Sequence, residues 1–175
     1  MDYFYIEQKI FSIKDLRFFS LHTEKSNELQ PFPHIIEFSK KKVQSVQPNS
    51  LDLERNIGLR FIFVQEGNFE WVLDEKSISV YPNDLVIIYP NQEFGSKMAS
   101  FDNGTFYSIT ILPQIFDEDK LILGEWCGIT ITEQLLMGKL FLLHKKSVFQ
   151  NFKIAGEIFK KIDQEIFSAE LGFKA

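Results

Sequence analysis

The stretch from Leu59 to Tyr89, LRFIFVQEGNFEWVLDEKSISVYPNDLVIIY, constrains the fold more than any other part of the chain. Its apolar runs fall near residues 60–65, 69–73, 77–81 and 85–89, with turn-forming residues between them. Gly67-Asn68 reads as a two-residue hairpin turn, because glycine supplies the positive φ such turns require. Asp74-Glu75-Lys76 reads as the next turn and Pro82-Asn83 as the one after. A fifth strand, Phe106–Leu112, follows Asp102-Asn103-Gly104. Short strands at such regular spacing predict a sandwich or barrel rather than a parallel sheet. Around Phe61–Val64 and Leu85–Ile88 both faces of the strand are apolar. An open antiparallel sheet shows one face to water, so these strands must be covered on both sides. A barrel with a filled or ligand-holding interior, packed outside against helices, meets that demand.

The flanks differ. SIKDLRFFS places a cap at Ser12 and apolar Ile13, Leu16 and Phe19 at helical spacing, which predicts a short helix. PFPHIIEFS predicts a strand around Ile35–Phe38. ILGEWCGITIT reads as irregular. In NFKIAGEIFKKIDQEIFSAE the residues Phe152, Ile158, Phe159, Ile162 and Ile166 form one apolar stripe, with Lys153, Glu157, Lys160, Lys161, Asp163 and Glu165 opposite. This predicts an amphipathic helix over 151–168. The final residues, LGFKA, read as the opening of a further helix, as in a domain cut from a longer protein.

The length of 175 residues fits one compact domain with a helical extension. The division expected is a barrel with an N-terminal arm over 1–125 and a helical segment over 126–175. Nineteen phenylalanines fit a thick aromatic core or an aromatic-lined cavity, and composition does not separate the two. A net charge of -5 argues against general affinity for nucleic acid, which needs a basic surface. Lys40-Lys41-Lys42 is the one dense basic cluster and reads as a solvated strand end. Cys127 is the single cysteine, so no internal disulfide forms. MDYFYIEQKIF lacks the pattern of a secretory signal, and no apolar run approaches the roughly 18 residues of a membrane span. A soluble, cytoplasmic protein without membrane contact is expected.

Catalytic chemistry finds little footing. The three histidines, His22, His34 and His144, lie in three separate segments. Metal sites in small barrels take ligands from neighbouring strands, often as a His-x-His pair with a carboxylate. No such pair exists, so no metal and no cofactor is expected. Cys127 has no histidine beside it, no serine sits in a G-x-S-x-G elbow, and no phosphate-binding glycine loop is present. The chain is read as a non-enzyme that binds a small molecule. Candidate ligand contacts are Arg60, Phe61, Phe63, Trp71, Tyr89, Tyr107 and Ile109, each aromatic having plain core packing as its alternative. Arg60 is a charge in an apolar strand and must reach solvent or an anion. The competing reading is a stand-alone enzyme drawing a general acid or base from Glu66, Glu70, Glu93, Tyr89 or Tyr107.

RFIFVQEG, the hairpin through FEWVLDEKSISV and the segment YPNDLVIIYPNQEFG together resemble the N-terminal effector domain of AraC-type transcription regulators. Asn83-Asp84 stands where that family usually has glycine–aspartate, and asparagine tolerates the left-handed conformation such a turn requires. Pro90 fills the proline position; the histidine often found after it is replaced by Gln92, Glu93 and Phe94. The resemblance implies a cupin-like (jelly-roll) β-barrel followed by one or more amphipathic linker helices. It further implies a small-molecule effector inside the barrel and a homodimer formed through Phe152, Ile158, Phe159, Ile162 and Ile166, for which packing on the chain's own barrel is the alternative. DNA would be reached only through a C-terminal helix-turn-helix domain that these 175 residues do not contain.

Overall fold

The computed structural model describes residues 18–44, 51–97 and 102–168. Its long strands are β2 (Ile35–Val43), β4 (Leu59–Leu73) and β8 (Asn103–Ile111). Shorter ones are β1 (Phe19–His22), β3 (Glu54–Arg55), β5 (Lys76–Val80), β6 (Leu85–Ile88), β7 (Glu93–Ser96), β9 (Ile115–Phe116), β10 (Leu121–Ile122) and β11 (Val148–Phe149). Two helices follow the main strands, α1 (Ile131–His144) and α2 (Lys153–Ser168). The molecule is thus mostly β with two helices near the C-terminal end. The helix expected from Ser12 lies outside the described residues except at its end, where Phe19 opens β1 instead.

One sheet runs β1-β2-β8-β4-β6-β11, all neighbours antiparallel. The second is built on the far half of β4, which pairs β5 on one side and β7 on the other, with β3 beyond β7. Among the described residues the two sheets share β4 and do not close into a hydrogen-bonded barrel. The mostly β fold with helices near the C-terminal end is as expected, and the barrel takes the form of two sheets joined through β4.

Strand β4 also corrects the turn expected at Gly67-Asn68. The runs 60–65 and 69–73 are one strand of 15 residues. It crosses the junction through a bulge between Val64 and Glu66, where an extra residue bends the strand from one sheet to the next. Gly67, at φ +85°, lies opposite Gly104, and a Cβ on Gly67 would sit 1.8 Å from the carbonyl oxygen of Asn103. Asn103 and Gly104 therefore belong to β8 and not to the turn before it.

The other turns form where expected. Asp74 and Glu75 take positive φ between β4 and β5, and the Asp74 carboxylate accepts from the Glu93 backbone and the Gln92 side chain. Asn83 takes φ +71°. Buried Asp84 accepts from the Tyr81 amide at 3.0 Å and from the Asn151 amide at 2.9 Å, tying the turn to the entry of α2.

Two apolar clusters result. Ile62, Val64, Phe69, Trp71, Val80, Val86, Ile88, Phe94 and Phe106 come from both sheets and fill the space between them. Phe38, Phe63, Leu85, Ile87, Tyr107 and Ile109 lie on the outer face of the first sheet, under Leu142 of α1 and Ala155, Phe159 and Ile166 of α2. Both faces of β4 and β6 are covered, as their two-sided hydrophobicity required.

Candidate functional site

The inner face of the first sheet carries a polar patch whose composition follows from register. Glu37, Thr110, Arg60 and Ile88 stand side by side across β2, β8, β4 and β6. The neighbouring row is Ser39, Ser108, Ile62 and Val86. A buried guanidinium is tolerated only when its donors are met. Arg60 Nε donates to Thr110 Oγ1 at 3.0 Å, Nη1 donates to Glu54 Oε1 at 3.1 Å, and Nη2 lies 3.5 Å from Glu37 Oε2. Lys41 Nζ completes the group 3.4 Å from Glu37 Oε1. Glu37 belongs to one sheet and Glu54 to the other, so Arg60 bridges the two. Ser39 is fully buried beside them, and its hydroxyl has no hydrogen-bond partner in the structure. Such an orphaned hydroxyl can accept from, or donate to, a small polar molecule entering between the sheets.

The structure divides the expected ligand contacts between two places. Arg60 and Trp71 point between the sheets, Trp71 being enclosed by Phe69, Phe94 and Phe106 at ring distances of 5.0, 5.3 and 5.5 Å. Phe61, Phe63, Tyr89, Tyr107 and Ile109 point the other way, beneath the helices. Phe63 packs on Phe159, with ring centres 6.2 Å apart, and Tyr89 on Phe141 at 5.4 Å. The Tyr107 hydroxyl meets Asp163 of α2 at 3.2 Å. Burial raises the pKa of Tyr89, keeping its phenol neutral.

The acids and bases of the enzymatic reading are spread over different parts of the fold where they can be placed. Tyr89 and Tyr107 lie on the outer face, while Glu66 is exposed. Among the described residues no three His, Cys, Asp or Glu side chains gather at a metal-sized site. The slot after Pro90 knits a turn: Gln92 Oε1 accepts from the Tyr89 amide at 2.8 Å, Gln92 Nε2 donates to Asp74 at 2.7 Å, and Phe94 is core.

Of the expected dimer stripe, Phe159 and Ile166 are buried on the chain's own sheet and Ile162 packs against the same cluster. Phe152 and Ile158 remain exposed. A second apolar surface, unread in the sequence, lies on α1. Its inward residues are Gln134, Gly138 and Leu142. Directly opposite, at a spacing of four then three residues, stand Leu136, Leu140 and Leu143, 62%, 52% and 71% exposed. The readable signal was Thr130-x-x-Glu133, a capping box in which the Thr130 hydroxyl accepts from the Glu133 amide and Glu133 accepts from the Thr130 amide. The Thr130 hydroxyl, which donates to Glu133 Oε2 at 2.6 Å, and then the Thr130 amide hold the Glu133 carboxyl below its usual pKa. Glu37, Glu54, Ser39, Ser108 and Thr110 carried no such signal, since only cross-strand register brings them together.

The molecule is therefore a two-sheet β domain with a helix-covered outer face and a polar patch inside. No protein-family model and no curated protein matches the chain. Solved structures similar to it include a cupin protein from Bacteroides fragilis, at 14% identity over 59% of this chain and 82% of that one, with a TM-score of 0.44. The EutQ protein of Clostridium difficile is 14% identical over 54% of this chain and 66% of its own, TM-score 0.41. A predicted oxalate decarboxylase from Thermotoga maritima is 11% identical over 56% and 94%, TM-score 0.43. No helix among the described residues is long and apolar enough to cross a membrane.

Proposed function

We propose that this chain is a non-catalytic ligand-sensing and dimerisation module of an AraC-type transcription regulator, acting on DNA through a domain outside these 175 residues. A small polar effector would enter between the sheets and meet Arg60, Ser39 and Ser108. The homodimer would form through α1 rather than through the stripe of α2, three of whose five residues are already engaged with the sheet.

The observation that supports the dimerisation part of this reading is the apolar character of α1 on both sides. A helix apolar all round is normally buried all round. Here β10 and the segment after it cover one side, and Leu136, Leu140 and Leu143 on the other follow the spacing of a coiled-coil seam. Together they leave an apolar ridge open along the side of α1 that faces away from the sheet. A second copy presenting the same helix antiparallel would cover it with two-fold symmetry.

Equilibrium sedimentation tests this. The wild-type chain should be a dimer at tens of micromolar, on the order of ordinary micromolar affinity. The double variant Leu136→Glu/Leu140→Glu should weaken the dimer at least about tenfold, with the melting temperature of the monomer little changed. A monomeric wild-type chain, or a dimer indifferent to both substitutions, would remove the α1 seam.

A further inference from the structure

A recess lies apart from the polar patch, on the opposite face of the same sheet. We propose that it is a binding site for a small, uncharged, apolar molecule, a single aromatic ring or a short alkyl chain. It measures about 180 Å³. Leu59, Phe61 and Ile111 form its floor, and Met137 and Phe141 of α1 form its roof. Leu121, Leu123 and Ile129 line the sides.

The chemistry of the lining selects the ligand. Gln134 supplies the one polar side chain, and its amide is fully used. Its Oε1 accepts from the Leu123 and Gly124 amides, both at 3.0 Å. Its Nε2 donates to the carbonyls of Gly124 and Ile129 at 3.0 and 2.9 Å. Two acceptor and two donor positions are all that a glutamine side chain has. A sugar, carboxylate or ammonium would enter with its polar groups unmet by the lining. An apolar ring loses nothing there and leaves water.

The recess persists because α1 cannot sink into it. Gly138 already brings the helix against the Leu121 backbone: a Cβ at that position would lie 2.3 Å from the Leu121 oxygen. The four bonds of Gln134 and the capping box at Thr130 hold the helix start in place. With its roof pinned, the space stays open where a free helix would collapse on it. The recess is partly open to solvent, so an apolar guest would complete the burial of its lining. Met137, more than half exposed, stands at the rim, and its unbranched side chain can swing aside.

Benzene is the probe. Methyl-resolved NMR of the full chain should show saturable shifts at Ile111, Leu121, Leu123, Ile129 and Met137. Filling the recess from the rim with Ile129→Phe should weaken benzene binding at least tenfold. Leu123→Phe repeats the test from another wall if the first variant folds poorly. Saturable shifts confined to the inter-sheet methyls of Val64 and Val86, no saturable shift at all, or wild-type affinity in both filled variants would each overturn the proposal. The α1 seam is read separately by sedimentation, so the two readings stand or fall independently.

Discussion

Arg60 shows how one residue can be legible in kind and hidden in role. A charge inside an apolar strand announces that it needs a partner, and the partners prove to be Glu37, Glu54 and Thr110. Buried ion pairs are weak evidence of stability, but breaking one leaves an unmatched charge behind. Arg60→Met should therefore destabilise the chain by about 3 kcal/mol in urea unfolding. The double variant Glu37→Leu/Arg60→Met should recover much of that loss. If the double variant is as weak as the single one, the pair is not what ties the sheets together. His34 offers a pH-dependent case. Its ring stacks on Trp126 with centres 3.8 Å apart and planes within 3°. Burial lowers its pKa, so the folded chain favours neutral imidazole. Just below the ordinary histidine pKa the unfolded chain binds the proton first, so stability rises with pH there and falls on acidification. His34→Phe, which can keep the stack, should flatten the fall in melting temperature between about pH 7 and 5.5. A histidine resonance titrating at or above the free-imidazole value would contradict this.

Strand β4 carries the main lesson at the scale of elements. Gly67-Asn68 has the composition of a hairpin turn, and its backbone does adopt positive φ at Gly67. That conformation lies within a continuing strand instead, because β8 partners the chain up to Asn68 and β5 takes over from Phe69. Local chemistry specifies that glycine must bend there. The neighbouring strand decides whether the bend becomes a turn. Gly67→Ala should cost at least about 2 kcal/mol, combining strain at φ +85° with the clash against Asn103 and Gly104. A variant as stable as wild type by denaturant titration would show that the glycine pair is not needed at the crossing. Asp74-Glu75 and Asn83 behave as their composition indicates, because two-residue turns are decided by local φ preference and by the capping carboxylates of Asp74 and Asp84.

At the scale of the molecule the helices are structural parts of the sheet's outer face. Phe159 stacks against Phe63 and Tyr107, and a Cβ on Gly156 would lie 2.7 Å from the Phe63 ring, so α2 sits nearly in contact with β4. Removing residues 126–175 would expose Phe61, Phe63, Tyr107 and Ile109 together, an apolar patch larger than monomers ordinarily tolerate. The chain ending at residue 125 should therefore aggregate when expressed alone. A soluble, monodisperse product with an intact near-ultraviolet spectrum would show that the sheets fold without the helices.

The sequence by itself determined the class of the molecule. It specified short antiparallel strands apolar on both faces, turns at Asp74-Glu75 and Asn83, an amphipathic C-terminal helix, and the absence of a His-x-His pair. Each of these is a local property, set by side-chain period, by tolerance of positive φ, or by the presence of a residue type. Only the tertiary structure decided that Glu37, Arg60 and Thr110 meet, that Phe61 and Tyr107 face away from Trp71, and that the leucines of α1 are left uncovered. Those facts depend on register between segments dozens of residues apart, where a shift of one residue would reverse every face.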